Sequence, residues 1–259
     1  DIPAIDNPAC GFVHSANEMN VPAGCDHDAH PIGFEWYEDG RADRIADVIS
    51  AGQATDIAQN CALQTDTFSA LSLRLVALLP ESGPSKALAL LKAYDGRSDV
   101  ASPSALLFEL WLSSHLRPAI LDRAAPDPAL RKLLAPAVMV TLVRLLEGQH
   151  EGLAKRAGLD TTAARDAVLI ETLSAAWQDA CTRFGADTTT WRWGDLHKGW
   201  FDHALTPVRP GFDVGPLDKG GNSTCLMLAN YEASDYRVRV GASVRMVVDV
   251  GAWDNSVWI

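Results

Sequence analysis

The sequence predicts an α+β fold, in which a block of helices is followed by short antiparallel strands. Apolar residues recur at helical spacing through the first two-thirds of the chain, with glycines and prolines between the runs. The C-terminal part is instead rich in β-branched residues between short turns. With 47% hydrophobic residues, the chain can bury a sizeable core.

Charge and hydropathy exclude two classes of partner. The net charge is −11 and no cluster of lysine and arginine occurs, so the electrostatic footprint of a nucleic-acid-binding protein is missing. The most apolar stretch, 133–146, is interrupted by Pro136, Thr141 and Arg144, so no membrane span is predicted.

The helical block has recognisable starts and stops. A first helix is predicted over 41–50, ending before Gly52, and a second over 56–79 with Thr55 as its N-cap. Ser102 and Pro103 form a cap and a first-turn proline for a helix over 104–121. The remaining helices are expected at 88–94, 129–146, a short run to 156, and 161–184, the last capped by Asp160 and ended by Gly185.

Beyond residue 187 the character of the chain changes. Three tryptophans and two histidines crowd into 191–203, and strand-like runs at 224–230, 236–240 and 243–250 predict an antiparallel meander. We therefore divide the chain into an active-site loop with the first helix (1–52), a helical block (53–186), and an aromatic-rich segment with strands (187–259).

The stretch 7–44 is the densest in polar, aromatic and turn-forming residues. Asn17 follows an extended Gly11-Phe-Val13, which predicts that it lies at the end of a strand. A side-chain amide there could donate its N–H to an oxyanion, a contribution of about 3 kcal/mol to a transition state. The alternative is that Asn17 only caps a turn.

These residues resemble the penicillin acylase family of amidases, which are N-terminal nucleophile hydrolases. The resemblance covers about 4–80 and 187–259. The matching motifs are Asn7-Pro-x-x-Gly11-Phe-Val13, Ser15-Ala-Asn17-Glu18, Phe34-Glu-Trp36, Arg41-Ala-Asp-Arg44-Ile45, Gln64-Thr-Asp66-x-x-Ser69-Ala70, Trp193-Gly-x-Leu-His197 and Gly220-Gly-Asn222-Ser-Thr224. The resemblance implies a four-layer αββα assembly, of which this chain, with all three segments, is one piece of a larger multi-chain domain.

The resemblance also implies site residues. Asn17 matches the family's oxyanion-hole asparagine, Arg44 an arginine beside the pocket, and Asp249 an acid that orients a histidine near the nucleophile. The alternatives are that Arg44 pairs with a surface acid and that Asp249 is a charged residue at a strand end with no function.

Family members use the amine and hydroxyl of an N-terminal serine, whereas this chain begins with Asp1. We expect that serine on another chain of the same autoproteolytically processed precursor, with its amine, of unperturbed pKa about 7.7 to 8.0, as the base. The expected reaction is hydrolysis of an acylamide, such as a penicillin antibiotic or a quorum-signalling N-acyl-homoserine lactone, and this chain alone is expected to be inactive.

No cofactor is predicted. Some acylases hold calcium through an aspartate downstream of the asparagine, but His30 takes that place here, with Asp26 and Asp28 nearby, and calcium prefers several oxygen ligands. His197 and His203 lack the spacing of a common zinc site.

The cysteines and chain start bear on the compartment. Cys10 and Cys25 bracket Asn17, either as a disulfide or as free thiols. Together with the acidic balance and a start that looks processed, this pair predicts a periplasmic or secreted protein.

Two other functional classes remain open. A non-catalytic helical and β binding module would use the aromatic segment 191–201 as its docking surface. A self-contained hydrolase would pair His197 or His203 with Ser223, although no Gly-x-Ser-x-Gly motif supports it.

Overall fold

The computed structural model describes residues 3–22, 24–26, 28–29, 31, 33, 36–135 and 138–258. Helices dominate up to residue 196, and short strands follow. The helices are α1 Gly40–Ser50, α2 Ile57–Gln64, α3 Ala70–Ala77, α4 Ser85–Lys92, α5 Pro103–Leu110, α6 Arg117–Ala124, α7 Pro128–Leu134, α8 Met139–Leu146, α9 Glu151–Arg156, α10 Thr162–Phe184 and α11 Trp193–Leu196.

Local capping chemistry explains most helix ends. Ser102 Oγ accepts from the Ala105 N–H (3.1 Å) to start α5, and Gly185 ends α10 with a φ of 83°. Two predicted caps shift by one residue. Asp56, not Thr55, caps α2 by accepting from the Gln59 N–H, and Thr161, not Asp160, caps α10.

The single helix predicted over 56–79 is wrong, because the chain breaks between α2 and α3. Asp66 turns its carboxylate back to accept from the Phe68 N–H (3.1 Å), which is incompatible with a continuing helix. Ser69 then caps α3 by accepting from the Ser72 N–H (3.1 Å). The break places Asp66 and Ser69 in the interior rather than on a solvated helix face.

The helix predicted over 104–121 is continuous but irregular. Residues Trp111–Leu116 form a π-helical segment between α5 and α6. Pro118 explains its position, since proline has no N–H to donate to the carbonyl four residues back and its ring would clash with that carbonyl. The 129–146 prediction likewise resolves into α7 and α8.

The core lies between α10 and the α5–π segment, and α3, α4 and α8 complete it. Leu75, Leu91, Phe108, Trp111 and Leu169 are completely buried there. The Trp111 indole N–H donates to Thr172 Oγ1 (2.9 Å), so the ring is satisfied in the interior. This packing gives the rest of the chain a rigid base.

Within the described residues the strands form three separate antiparallel pairs, which confirms the α+β class but not a single meander. The pairs are β1 Lys198–Phe201 with β2 Val214–Asp218, β3 Ala229–Tyr231 with β4 Val238–Gly241, and β5 Met246–Val247 with β6 Val257–Trp258. β5 lies against the end of α2 instead of joining β4. Gln64 Nε2 donates to the Met246 carbonyl of β5 (2.8 Å), and Arg245, just before β5, donates to the Gln64 carbonyl.

Among the described helices, none has the length and apolar character needed to cross a lipid bilayer.

Candidate active site

Asn17 lies in a sharp bend that exposes its side chain. Its φ is 69°, in the left-handed region, which asparagine adopts more readily than other non-glycine residues. The prediction that Asn17 ends a strand is wrong, because Gly11–Val13 has no strand partner among the described residues. On either side of the exposed Asn17, Ala16 and Glu18 are buried, and Glu18 Oε2 accepts from the Ala16 N–H (2.5 Å).

Arg41, at the start of α1, is the side chain that contacts this bend. Its Nη2 donates to the Ala16 carbonyl (2.7 Å) and to Asn17 Oδ1 (3.0 Å). Arg41 is only 8% exposed, and its guanidinium lies 5.7 Å from the centre of the Tyr37 ring. The Tyr37 N–H also donates to the Asn17 carbonyl (3.0 Å), so the bend is held from two directions.

The carboxamide nitrogen of Asn17 has no acceptor among the residues that the structure describes. An exposed N–H₂ group beside a buried cation can donate to an oxygen that acquires negative charge. Sequence reasoning placed Arg41 in a matching motif but assigned it no role, since Arg44 lies three residues later on the same helix and both precede apolar positions.

Arg44 faces away from this contact toward Asp66. Its Nε and Nη2 both lie 2.7 Å from Asp66 Oδ2, and its guanidinium stands 4.8 Å from the centre of the Phe68 ring. Arg97 Nη1 donates to the other Asp66 oxygen (2.7 Å). Burial raises the pKa of Asp66, but the hydrogen bonds from Arg44, the Phe68 N–H and Arg97 outweigh burial and hold that pKa below its usual value.

Asp249 lies two residues after β5 and serves its own turn. Its Oδ1 accepts from the Gly251 and Ala252 N–H groups (2.9 and 3.0 Å), and its N–H donates to Ser256 Oγ (3.1 Å). It lines a cleft of about 460 Å³ beside the start of α2. The structure thus brings Asn17 together with Arg41, and it shows no hydrogen bond from Asn17 to Arg44 or Asp249.

A second cleft, of about 620 Å³, flanks the bend. Its walls include the apolar Phe12, Val13 and Met19, and its polar side includes Glu18 and Asp43. Burial raises the pKa of Asp43, with the neighbouring acids Asp39 and Asp47 adding to the effect. The cleft therefore combines an apolar wall with a rim of carboxyl groups, of which Asp43 has a raised pKa.

Glu38 adds a titratable group near neutrality. Burial raises the pKa of Glu38 to about 7, against the opposing effect of the Arg41 charge. Its Oε2 is shielded from solvent and has no hydrogen-bond partner among the described residues. Glu38, three residues before Arg41, is thus an acid that changes its charge near working pH.

The aromatic segment is mostly core. Trp191 and Trp193 are buried, and His197 stacks on Trp193 with ring centres 4.5 Å apart. His197 Nδ1 lies 2.6 Å from the Lys219 carbonyl, and burial lowers the pKa of His197 to about 4, so it is neutral. Only Trp200 and Phe201 remain exposed, which leaves the docking surface of the binding-module hypothesis with two aromatic rings.

A buried polar network joins the strands to the helical block. Glu109, 2% exposed, accepts from Asn222 Nδ2 and from the Tyr231 hydroxyl, each at 2.7 Å. Asn222 Nδ2 also donates to Ser98 Oγ (3.1 Å), and Asn222 Oδ1 accepts from the Thr224 N–H (2.8 Å). Asn222 and Thr224 belong to the glycine-rich turn, so that motif is architectural. The sequence contains no pattern that predicts the contacts of Glu109 with Asn222 and Tyr231.

Neither competing chemistry has the required contacts in the described part of the chain. Ser223 forms no hydrogen bond with His197 or His203 there. No group of three or more described His, Cys, Asp or Glu side chains could hold a metal. His30 lies outside the described residues, and Asp26 Oδ1 accepts from the Asp28 and Ala29 N–H groups, so the described part of this segment shows no assembled set of oxygen ligands for calcium.

The cysteines follow the second of the two alternatives. Cys10 and Cys25 are free thiols, and Cys10 Sγ donates to the Phe12 carbonyl (3.2 Å). The bend at Asn17 is therefore held by Arg41 and Tyr37 rather than by a disulfide.

Comparison with known proteins matches the whole chain to one family. The family model described as penicillin amidase covers residues 1–259. An acyl-homoserine lactone acylase QuiP of Pseudomonas putida is 29% identical over 96% of this chain and 33% of its own length. The protein of that name from Pseudomonas aeruginosa is 25% identical over 96% of this chain.

A penicillin acylase 2 proenzyme of a Pseudomonas species is 28% identical over 100% of this chain and 34% of its own length. The chain thus spans about a third of the length of the curated relatives that it matches.

Proposed function

We propose that this chain, which belongs to the penicillin amidase family, supplies the oxyanion-binding asparagine of an amide hydrolase. Its substrates would be N-acylated compounds such as penicillins or N-acyl-homoserine lactones, the two classes that the names of its relatives mention. Amide hydrolysis passes through a tetrahedral intermediate whose oxygen carries negative charge. The enzyme must therefore present a donor where that charge develops.

The observation that carries this proposal is the Asn17 bend. The carboxamide is exposed, its oxygen is occupied by Arg41 at 3.0 Å, and its nitrogen has no acceptor in the described part of the chain. The bend, with a φ of 69° at Asn17, keeps the side chain there. The side chain is thus held through its oxygen while its donor end stays exposed.

The rest of the machinery belongs to other chains in this proposal. A partner chain of the same processed precursor would carry an N-terminal serine, whose amine takes the proton from its own hydroxyl. The relative that is named a proenzyme supports this division.

Exposed apolar side chains in the region 198–258 support a multi-chain assembly, for which we propose the four-layer αββα arrangement that the resemblance implies. They include Phe201, Val214, Val250, Trp253 and Trp258, which are more than half exposed. Such side chains commonly mark an interface. Native mass spectrometry should detect a co-purifying chain that begins with serine, and a stable monomer with amidase activity would contradict the division.

Arg44 and Asp249 keep the roles expected for them, without a hydrogen bond to Asn17. Arg44 with Asp66 would hold α1 beside the pocket, and Asp249 would orient a histidine near the nucleophile through its half-buried carboxylate. We also propose a periplasmic or secreted location, consistent with the net charge of −11. Cell fractionation tests the location, and activity confined to the cytoplasmic fraction would contradict it.

The decisive experiment on function is Asn17→Ala in the assembled enzyme. Removing one oxyanion donor should lower kcat about 10² to 10³-fold while changing KM little, because the donor acts mainly on the transition state. Asn17→Asp should lower kcat further, since a carboxylate has no donor and repels the developing charge. An assembled Asn17→Ala enzyme with wild-type kcat on its best acylamide would refute the proposed function.

A further inference from the structure

We infer that Arg41 is a positioning residue that fixes which end of the Asn17 carboxamide meets the substrate. This inference rests on the proposed function and adds to it a second residue, one that acts only through Asn17. Two hydrogen bonds of Arg41 Nη2 carry it: a buried one to the Ala16 carbonyl at 2.7 Å and a partly buried one to Asn17 Oδ1 at 3.0 Å.

The need for such a residue follows from the symmetry of a carboxamide. Its oxygen and nitrogen ends have nearly the same shape, so a half-turn of the group exchanges an acceptor for a donor. An exposed asparagine without a fixed partner would present its oxygen to the oxyanion in part of the population. That orientation repels the charge it should stabilise.

Arginine removes this ambiguity because its guanidinium has donors and no acceptor. Only the oxygen end of Asn17 can face Arg41, and the N–H₂ end must then point the other way. A neutral backbone N–H would hold the amide orientation less strongly. The charge of the buried Arg41 makes its hydrogen bond to Asn17 Oδ1 charge-assisted, and this bond polarises the amide further.

Arg41 also fixes the backbone that carries the amide. It contacts the carbonyl of Ala16, one residue before Asn17, while the Tyr37 N–H binds the carbonyl of Asn17 itself. The backbone of Asn17 is therefore held by two contacts, one from α1 and one from the segment that leads into it. Arg41 lies in the first turn of α1, so the rigid helix sets the position of the guanidinium.

The test is a double-mutant cycle between Arg41 and Asn17 in the assembled enzyme. Arg41→Met should lower kcat about 10 to 100-fold with KM changed less than threefold, and Arg41→Lys should recover part of the loss because it restores one cationic donor. In an Asn17→Ala background, Arg41→Met should lower kcat less than twofold, since the amide through which it acts is gone. The control is Arg74→Met, which removes a surface arginine with two hydrogen bonds to Glu147 and should leave kcat unchanged.

A readout without turnover accompanies the cycle. Asn17→Asp should melt at a higher temperature than Asn17→Ala, because Arg41 would pair with the new carboxylate, and this difference should vanish in the Arg41→Met background. Arg41→Gln, which also removes the positive charge, serves the same comparison if Arg41→Met does not assemble.

The outcomes separate the two proposals. Wild-type kcat in Asn17→Ala would refute the proposed function itself. A loss in Asn17→Ala together with wild-type kcat in Arg41→Met, or with losses that multiply in the double variant, would overturn the role of Arg41 and leave the proposed function standing.

Discussion

Asp66→Asn is expected to destabilise the protein strongly, because Asp66 is the point where two arginines and a backbone N–H meet. Its two oxygens accept from Arg44, Arg97 and the Phe68 N–H at 2.7 to 3.1 Å, and Asp66 is only 8% exposed. An asparagine has one acceptor oxygen, so its N–H₂ group must face either Arg44 or the Arg97 and Phe68 donors. Either orientation places donors against donors.

The size of the effect follows from the burial of the partners. Breaking a buried ion pair by changing one member costs about 3 to 5 kcal/mol, and the partial exposure of Arg44 and Arg97 places this case near the lower end, about 3 kcal/mol. In a chain of this size, that loss lowers the thermal midpoint by about 6 to 12 °C.

The assay is thermal unfolding followed by calorimetry, with Asp122→Asn as the control. Asp122 pairs with Arg131 on the surface, where an ion pair contributes less than about 1 kcal/mol, so its midpoint should shift little. The direction in which pH changes the stability contribution of Asp66 also follows from its pKa. The lowered pKa of Asp66 means that its contribution is present above about pH 4 and is lost as pH falls below that value. Equal midpoints for Asp66→Asn and Asp122→Asn at pH 7 would refute this reasoning.

Two further predictions concern buried titratable groups. Burial raises the pKa of Glu38 from 4.5 to about 7, so between these pH values the native state holds a proton that the unfolded state has released. The free energy of unfolding of the wild type should therefore fall by about 3 kcal/mol as pH rises from 4.5 to 7. In Glu38→Gln this fall should be absent. Chemical denaturation at several pH values measures it, and identical pH slopes for the variant and the wild type would contradict it. His197, whose pKa is lowered to about 4 by burial, should show no change in its ring ¹³C and ¹H NMR shifts between pH 5 and 8, while the same histidine in urea titrates near 6.5. A folded-state transition of His197 near pH 6.5 would show that the ring is not held in the core.

How much the sequence could predict depended on the range of the interactions. Helix starts such as Ser102-Pro103 and the stop at Gly185 depend on groups within four residues, so composition and spacing were enough to place them to within one or two residues. Asn17 was singled out as a candidate because the motifs around it in the chain resemble those of the penicillin acylase family.

The tertiary structure decided what lies far apart in the sequence. Nothing in the spacing distinguishes Arg41 from Arg44, yet one contacts the Asn17 bend, 24 residues away, and the other contacts Asp66. Glu109 meets Asn222 across 113 residues, and no periodic pattern encodes such a pair. Asp66 breaks a helix that its apolar stripe favours, because bonds from Arg44, Arg97 and Phe68 outweigh the propensity of a few residues. Local chemistry therefore determined the elements and the candidate donor, whereas long-range hydrogen bonds and burial determined which side chains hold that donor in place.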